Sequence, residues 1–292
     1  MGHSKIRSTL IDLGAISEPT ISLFSPRTRD ANVPVYRDDV SGVIFIDEYF
    51  VGENVYSEGT YRDSTCGGGG YEDVVDTRRR LAELEQFYSG KNVVDLGCGE
   101  GNFLRGMKSL AHAIFGTELQ ESSRNQLMVE GIPCFASLEE IPAGTLDVAF
   151  MMHMLEHLPD PLSFLKSVRE KLIGAQSRGR IIIEVPHAKD FLIDQLHVSE
   201  FVASTLWSQH LVLHTRASLR LLLTEAGFTN IVILGVQRYP LSNHLAWLAH
   251  RVPGGHKTSL SAIDSPLLLQ SYASALAAID ATDTLLAVAD VS

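Results

Sequence analysis

The stretch Asn92–Arg105 reads N-V-V-D-L-G-C-G-E-G-N-F-L-R, and it decides the fold. Val93 and Val94 are β-branched and apolar, which is typical of a buried parallel strand. Three glycines come directly after them, and glycine permits positive φ angles and lets a ligand approach the bare backbone. Apolar residues at helical spacing come next, at Phe103, Leu104 and Met107. This order of strand, glycine-rich turn and helix predicts a nucleotide- or nucleoside-binding unit.

The same segment resembles motif I of the class I S-adenosylmethionine (SAM) methyltransferases, whose pattern is roughly D-x-G-x-G-x-G. Asp95, Gly97, Gly99 and Gly101 occupy every fixed position of that pattern. The third glycine comes one residue earlier than in the G-x-G-x-x-G of NAD enzymes. The resemblance implies an α/β fold with a Rossmann-like, seven-stranded, mostly parallel sheet and helices on both faces. It also implies SAM as cofactor and S-adenosylhomocysteine as product.

The overall composition is that of an ordinary globular protein, with 45% hydrophobic and 20% charged residues in a chain of 292. The formal net charge of −11 argues against nonspecific binding to nucleic acid or to an anionic membrane. Three widely spaced cysteines form no C-x-x-C pair, so no structural zinc site is expected. Because the sequence shows neither a signal-peptide core nor a membrane-spanning run, we expect a cytoplasmic protein that does not bind a membrane.

Four segments are predicted along the chain. Residues 1–75 are turn-rich and are expected to form an extension with little core of its own. Its tyrosine- and glycine-rich part, residues 49–71, is either a lid over the ligand or a disordered linker. Residues 76–236 are the expected SAM-binding core. Residues 237–282 are an insertion between the last two strands, and residues 283–292 are the final strand.

The cofactor contacts are predicted from motif I and from the residues downstream of it. Glu118 lies roughly 20 residues beyond the glycine turn, the usual offset of a ribose-binding acid. Its carboxylate offers paired acceptors for two hydroxyls, although a surface acid at a strand end is the alternative. Cys98 is interpreted as a small filler of the loop. The full expected set is Asp95, Gly97, Cys98, Gly99, Gly101, Asn102, Glu118, Leu119, Ser137, Met152, His153, Tyr61 and Arg78.

His153–Pro161 resembles the L-E-H-x-x-D-P signature of many class I methyltransferases, which comes after the fourth core strand and borders the methyl donor. A hydroxyl acceptor needs a general base, and a histidine with a pKa near neutrality suits that task. The candidates are His210, His244 and His153, with a buried structural histidine as the alternative. The sulfonium already activates the methyl group, so no metal is expected.

The later part of the chain resembles bacterial methyltransferases that act on nucleotide-activated sugars or surface-polysaccharide precursors. The resemblance lies in Glu184-Val-Pro, in a Gln-His pair, and in the Q-R-Y-P-L-x-N-H-L-x-W-L and P-G-G-H runs. It implies methyl transfer to a sugar. Related sugar C-methyltransferases carry Tyr-His-Glu-His at residues 207–210, where only His210 is retained here. This difference argues against C-methylation and leaves O- or N-transfer open. Expected acceptor contacts are Glu184, His187, Trp207, Arg238, Tyr239, Asn243 and Trp247.

Two other functions fit the same residues. One is a small-molecule O-methyltransferase of quinone or natural-product type, which an apolar acceptor pocket would favour. The other is a SAM-binding protein without turnover, because binding and catalysis use different residues. The expected partner is a small-molecule or nucleotide-sugar acceptor, and a homodimer is a further possibility.

Overall fold

A computed structural model describes residues 2–47, 49–52, 71–173 and 178–291. The strands are β1 (Gly2–His3), β2 (Ile21–Ser25), β3 (Val35–Asp38), β4 (Ile44–Ile46), β5 (Tyr49–Phe50), β6 (Asn92–Leu96), β7 (Ala113–Thr117), β8 (Cys134–Phe135), β9 (Val148–Met152), β10 (Arg180–Pro186), β11 (Val212–Leu213), β12 (Phe228–Val236) and β13 (Thr284–Val291). The α-helices are α1 (Ile6–Asp12), α2 (Tyr71–Glu83), α3 (Glu85–Tyr88), α4 (Asn102–Met107), α5 (Glu121–Val129), α6 (Pro161–Leu172), α7 (Ser199–Thr205), α8 (Arg216–Glu225), α9 (Leu241–His250) and α10 (Pro266–Ala278).

The centre of the molecule is a seven-stranded sheet with the order β12-β13-β10-β9-β6-β7-β8. β6 pairs in parallel with both β7 and β9, whereas β13 lies antiparallel between β10 and β12. The predicted fold is therefore confirmed, including the insertion between the last two strands, which carries α9 and α10. In the described part of the chain, every helix is too short or too polar to cross a membrane.

The central strands are apolar along their length because helices cover both faces of the sheet. In β10, Ile181 and Ile183 pack into one core together with residues of α6 and α8. Ile182 points to the opposite core, which contains Phe103 and Leu104 of α4. This alternation places adjacent isoleucines on opposite faces and buries all three completely.

The N-terminal segment has more structure than the sequence predicts. β2, β3 and β4 form an antiparallel sheet that β11 completes, in the order β11-β4-β3-β2. Phe45 belongs to a core on one side of β4, and Ile44 and Ile46 belong to a core on the other side. The expectation of little core is therefore corrected. The missing partner strand comes from Val212 and Leu213, far along the sequence.

Backbone hydrogen bonds join this small sheet to the main domain. Ile46 N donates to Leu211 O at 2.9 Å, and Leu211 N donates to Glu156 O at 2.8 Å. The second bond reaches the turn after β9. The N-terminal sheet is thus fixed beside the carboxyl edge of the central sheet, where α/β proteins place their ligands. Tyr61 and the run of glycines at 67–70, proposed as parts of a lid, lie outside the described residues.

Asp38 is expected to stabilise the N-terminal sheet. It is 1% exposed and accepts hydrogen bonds from Ser41 N at 2.7 Å, Ser17 N at 3.1 Å and the Thr20 hydroxyl. Burial alone would raise the pKa of Asp38, but these hydrogen bonds outweigh it and lower the pKa to about 2. Asp38→Ala should lower the free energy of unfolding by about 2–3 kcal/mol in urea titrations at pH 7, because buried donors lose their acceptor.

The pH dependence of this effect has a definite sign. The folded-state pKa lies below the unfolded value, so the contribution of Asp38 is complete above that value and is lost as the pH falls toward 2. The difference in the free energy of unfolding between Asp38→Ala and wild type should therefore decrease as the pH falls. Asp39→Ala, an exposed neighbour, is the matched control and should change stability little. Equal effects of the two substitutions would contradict the assigned role of Asp38.

Candidate active site

A cavity of about 450 Å³ opens at the carboxyl ends of β6, β7 and β9. The glycine loop after β6 contributes Gly97, and the end of β7 contributes Glu118 and Leu119. The segment after β8 contributes Ser137 and Glu139. The remaining lining residues are Phe50, Thr117, Ala136, Leu138, His153, Met154, His157, Leu158, Pro159 and Phe164. The cavity therefore lies where the topology of a parallel sheet predicts a nucleoside-binding crevice.

The glycine loop has the backbone conformation that its sequence requires. Gly97, Gly99 and Gly101 have φ angles of 70°, 59° and 79°, in the left-handed region that favours glycine. Gly101 directly precedes α4 and is closely packed against a neighbouring helix. A Cβ atom there would lie 2.4 Å from Cδ2 of Leu127. Backbone angle and packing together explain why this turn carries glycine rather than another small residue.

Glu118 connects the glycine loop to the cavity wall. Its Oε2 accepts from Gly99 N at 2.9 Å, and its Oε1 accepts from Gln120 N at 2.9 Å. The side chain is only 7% exposed. Asp95 lies close by and is 4% exposed, and burial raises its pKa to about 7. An acid held by two backbone N–H groups is pre-oriented, as a ribose-binding carboxylate must be.

The other expected cofactor residues divide into two groups. Leu119, Ser137 and His153 lie in the cavity wall together with Gly97 and Glu118. Asn102 instead donates its side-chain amide to Asp73 at 2.6 Å, and Cys98 contacts Cys134. Met152 packs into the core, and Arg78 is exposed on α2. For Asn102 and Arg78 the structure favours a helix contact and a solvated face over the predicted binding role.

Several wall residues were not predicted from the sequence. Glu139 is the most informative of them, because a hydrogen bond from Ser137 lowers the pKa of this carboxyl group. Related methyltransferases often have an aspartate next to this strand, where the chain has none, although an acid stands two residues beyond Ser137. No sequence pattern indicated Phe50 or Phe164 as wall residues, because Phe50 belongs to the short strand β5 and Phe164 to helix α6.

His153 and Glu156 form a buried pair at the cavity. His153 Nδ1 lies 3.2 Å from Glu156 Oε1, and His153 Nε2 is buried without a hydrogen-bond partner among the described residues. Glu156 is completely buried, and this burial raises its pKa to about 8. His153 adopts a φ of 56°, which is uncommon for a residue other than glycine and marks local strain.

His157 and His210 extend this pair. Their ring centroids are 5.0 Å apart, and His157 Nδ1 lies 3.0 Å from the backbone oxygen of Gln209. Burial lowers the pKa of His157 to about 4 and holds the pKa values of His153 and His210 well below the ordinary value. All three imidazoles are therefore neutral at pH 7 and can accept a proton, but their low pKa values make them weaker bases than an imidazole with a pKa near neutrality.

A metal ion could be held at only one group of the described residues. Glu156, His157 and His210 bring one potential ligand atom each to within 4.8 Å of one another. That proximity does not define a metal centre, and the absence of a metal requirement stays a prediction.

Two sets of buried arginine–carboxylate pairs contribute to the electrostatics of the histidines. Arg79 Nη2 and Arg80 Nε donate to Glu184 at 2.8 Å and 2.7 Å, and Glu184 is completely buried. Arg238 donates through Nε to Asp76 at 2.9 Å. After burial, the charges of Arg238 and Arg80 are the largest causes of the low pKa of His153. Glu184, expected to bind the acceptor, is instead engaged in holding two arginines of α2.

The remaining expected acceptor and base residues mostly have packing contacts. His244 is 2% exposed, stacks on Phe191 at 6.2 Å and has Tyr272 Oη at 2.6 Å from Nδ1, so the structure favours a structural histidine. Asn243 accepts from Gly254 N at 3.0 Å. The others are buried as well: His187 faces Thr282 O at 2.9 Å, Trp207 lies under Arg29, and Trp247 packs with Phe201.

Arg238 and Tyr239 line a second cavity of about 260 Å³. It lies between α2 and the 237–282 insertion, and its wall combines apolar with polar side chains: Val75, Asp76, Pro240, His256, Ser261, Asp264 and Leu269. The rings of Tyr239 and His256 are 5.7 Å apart. Arg238 lines this second cavity, and its charge also contributes to the low pKa of His153. Two of the predicted acceptor contacts, Arg238 and Tyr239, thus line the same cavity.

Known proteins resemble this chain mainly across the central sheet and its helices. A family model described as a methyltransferase domain matches residues 71–233, more than half of the chain. Ubiquinone biosynthesis O-methyltransferase of Psychrobacter arcticus is 27% identical over 184 residues, covering 58% of this chain and 70% of that protein. The Bordetella pertussis protein of the same name is 34% identical over 97 residues, but the match spans 30% of this chain and only 40% of that protein.

A solved structure has the same fold. The SAM-dependent methyltransferase from Archaeoglobus fulgidus superposes with a TM-score of 0.51 and 18% sequence identity. The superposition covers 76% of this chain and 95% of that chain. At this identity the likeness concerns the fold alone.

Glu118 is expected to be essential for donor binding. Glu118→Ala should raise the Kd for S-adenosylhomocysteine about 10- to 100-fold in isothermal titration, because hydrogen bonds to a charged group contribute roughly 1.5–3 kcal/mol. Glu121→Ala removes an exposed acid three residues further along and is the matched control. Unchanged affinity in Glu118→Ala, or equal losses in both variants, would contradict this role.

Proposed function

The chain belongs to the methyltransferase-domain family, and we propose that it transfers the methyl group of SAM to a hydroxyl group of a small-molecule acceptor. Membership of the family confirms the predicted enzyme class and its predicted cofactor. The observation that carries the proposal of a hydroxyl acceptor is His153. This residue combines a place in the cavity wall, a neutral imidazole, an unpartnered Nε2 among the described residues and a carboxyl group against Nδ1.

SAM would occupy the 450 Å³ cavity, with its ribose hydroxyls at Glu118 and its adenine near Ser137 and Glu139. When bound, it supplies a methyl group that its sulfonium has already activated. The protein then has to align the acceptor in line with that group, exclude water and remove one proton. Apolar side chains such as Phe50, Met154 and Phe164 in the wall would exclude water.

The proton of the acceptor hydroxyl would pass to His153 Nε2 as the new C–O bond forms. This requires the tautomer with hydrogen on Nδ1, and a carboxylate at Glu156 Oε1 selects that tautomer by accepting from Nδ1. A protonated Glu156 would donate to Nδ1 instead and would leave the hydrogen on Nε2. Glu156 is therefore a positioning residue, whose charge decides whether His153 acts as a base.

The names of the relatives support a small-molecule acceptor rather than the predicted sugar. The proteins from Psychrobacter arcticus and Bordetella pertussis are both named ubiquinone biosynthesis O-methyltransferases. A phenolic hydroxyl is more acidic than a sugar hydroxyl, so a neutral histidine removes its proton more easily.

A hydroxylated, sugar-like acceptor is the second candidate, and one observation favours it. The wall of the cavity beside Arg238 includes, besides apolar side chains such as Val75 and Leu269, the aromatic and hydrogen-bonding groups of Tyr239, His256, Ser261 and Asp264. Such a set suits a polar ring better than a purely apolar one. An acceptor that reached His153 past Arg238 could place a polar group there.

The acceptor class is tested by methyl-transfer assays with two panels, one of catechols and hydroquinones and one of nucleotide sugars. We expect S-adenosylhomocysteine release with a phenolic acceptor and none with the sugars. Asp264→Ala distinguishes the candidates further, because it should raise KM only for an acceptor that uses the second cavity. Turnover on a sugar alone would move the assignment to the second candidate. A parallel assay with a chelator tests the predicted independence from metal.

The rate is expected to rise with pH through the pKa of Glu156, which burial raises to about 8 despite the opposing charges of Arg238 and Arg80. Below that value Glu156 is protonated, and His153 keeps its hydrogen on Nε2. The kcat should increase about tenfold between pH 7 and pH 9, in step with the ionised fraction of one group. Glu156→Gln should abolish this increase.

His153→Gln is the companion variant. It should lower kcat roughly 10²-fold or more by removing the general base, while S-adenosylhomocysteine still binds. If His153→Gln keeps the wild-type rate and pH profile, catalysis proceeds by proximity alone and the assigned base is wrong.

A further inference from the structure

Two thiols meet beneath the glycine loop, beside the large cavity. Cys98 lies in the loop between Gly97 and Gly99, Cys134 begins β8, and their Sγ atoms are 3.7 Å apart. Both sulfurs pack over Gly116 of β7. A Cβ atom on Gly116 would lie 2.8 Å from Cys98 Sγ and 3.1 Å from Cys134 Sγ. The missing side chain at Gly116 thus creates the space in which the two thiols touch.

The two thiols are not equivalent. Cys98 is partly exposed, whereas Cys134 is 6% exposed. The hydrogen bond between them raises the pKa of Cys98 and lowers the pKa of Cys134. The first proton lost from the pair therefore leaves a thiolate in direct contact with a thiol. That juxtaposition is the starting arrangement for disulfide formation.

We propose that Cys98 and Cys134 form a reversible oxidation site, at which a hydroperoxide closes a disulfide that weakens binding of the methyl donor. With hydrogen peroxide, a thiolate attacks one peroxide oxygen and the O–O bond breaks. The leaving hydroxide takes up a proton equivalent to the one that the pair released, so a sulfenic acid and one water molecule result. The second thiol then attacks the sulfenic sulfur, the S–S bond forms, the S–O bond breaks and a second water leaves. Two electrons pass from the sulfurs to the peroxide.

The expected effect on binding results from the position of Cys98. A disulfide requires an S–S distance of about 2.0 Å, so the sulfurs must approach from 3.7 Å. Cys134 is held by the pairing of β8 with Gly116, and Cys98 N donates to Thr117 O at 2.9 Å, so closing the disulfide strains the glycine loop around Cys98. Gly97 lines the cavity, and Gly99 N donates to Glu118. A shift of Cys98 displaces both neighbours.

Binding and oxidation are reciprocally linked. If the disulfide lowers the affinity for the donor, then bound donor must oppose disulfide formation by the same factor at equilibrium. This inference rests on the proposed use of the large cavity by SAM, and separate measurements on the reduced and the oxidised protein distinguish the two claims.

The test uses the full chain carrying Cys66→Ser, so that only the two thiols remain. The reduced protein is treated with hydrogen peroxide, with and without S-adenosylhomocysteine, and digested without reductant for mass spectrometry. Calorimetry then gives the Kd for S-adenosylhomocysteine before oxidation, after oxidation and after dithiothreitol. We expect a peptide linking Cys98 to Cys134, a Kd raised about tenfold or more, recovery on reduction, and slower linkage in the presence of ligand.

Cys134→Ser is the control variant. It should bind S-adenosylhomocysteine like the parent and show no response to peroxide. If it does not fold, Cys98→Ser serves to test the loss of the linked peptide. Absence of the linked peptide, or a linked peptide with unchanged Kd, overturns the proposal. Failure of the reduced protein to bind S-adenosylhomocysteine counts instead against the proposed function.

Discussion

The burial of Glu184 determines how the site is assembled. A buried carboxylate is strongly destabilising unless it is paired and hydrogen-bonded. Glu184 lies near the end of β10 with no exposed surface, and Arg79 and Arg80 both donate to it. Because both arginines come from α2, this pairing fixes the helix across the carboxyl edge of the sheet. The charge of Arg80 then also opposes the rise in the pKa of Asp95 under the glycine loop.

Two buried carboxyl groups at this edge differ in charge because their neighbours differ. The arginines lower the pKa of Glu184 against the effect of burial, whereas burial prevails for Glu156 and raises its pKa to about 8. One group is therefore a permanent structural anion. The other can exchange its proton near neutral pH and can control the tautomer of His153. Because their environments differ, the two carboxyl groups have different pKa values, and one site can use them in two different roles.

The sequence predicted those parts of the site that are local. The turn from Asp95 to Gly101, and Glu118 after the next strand, can be recognised because glycine conformations and strand ends depend on neighbouring residues. Contacts between distant segments could not be predicted. The pairing of Glu184 with α2, the strand that Val212 contributes to the N-terminal sheet, and the burial of His244 each depend on tertiary packing. Polar residues in the insertion therefore suggested an acceptor site more strongly than their buried positions support.

Under the proposed function, donor binding and acceptor choice depend on different parts of the chain. The matched family model ends at residue 233, before the insertion that lines the second cavity. Phe50, in the wall of the first cavity, comes from the N-terminal segment, which Leu211 joins to the backbone of Glu156. Family membership therefore identifies the reaction through the shared core. In this proposal, segments on either side of that core select the acceptor, so the names of the relatives support an acceptor class without defining the molecule.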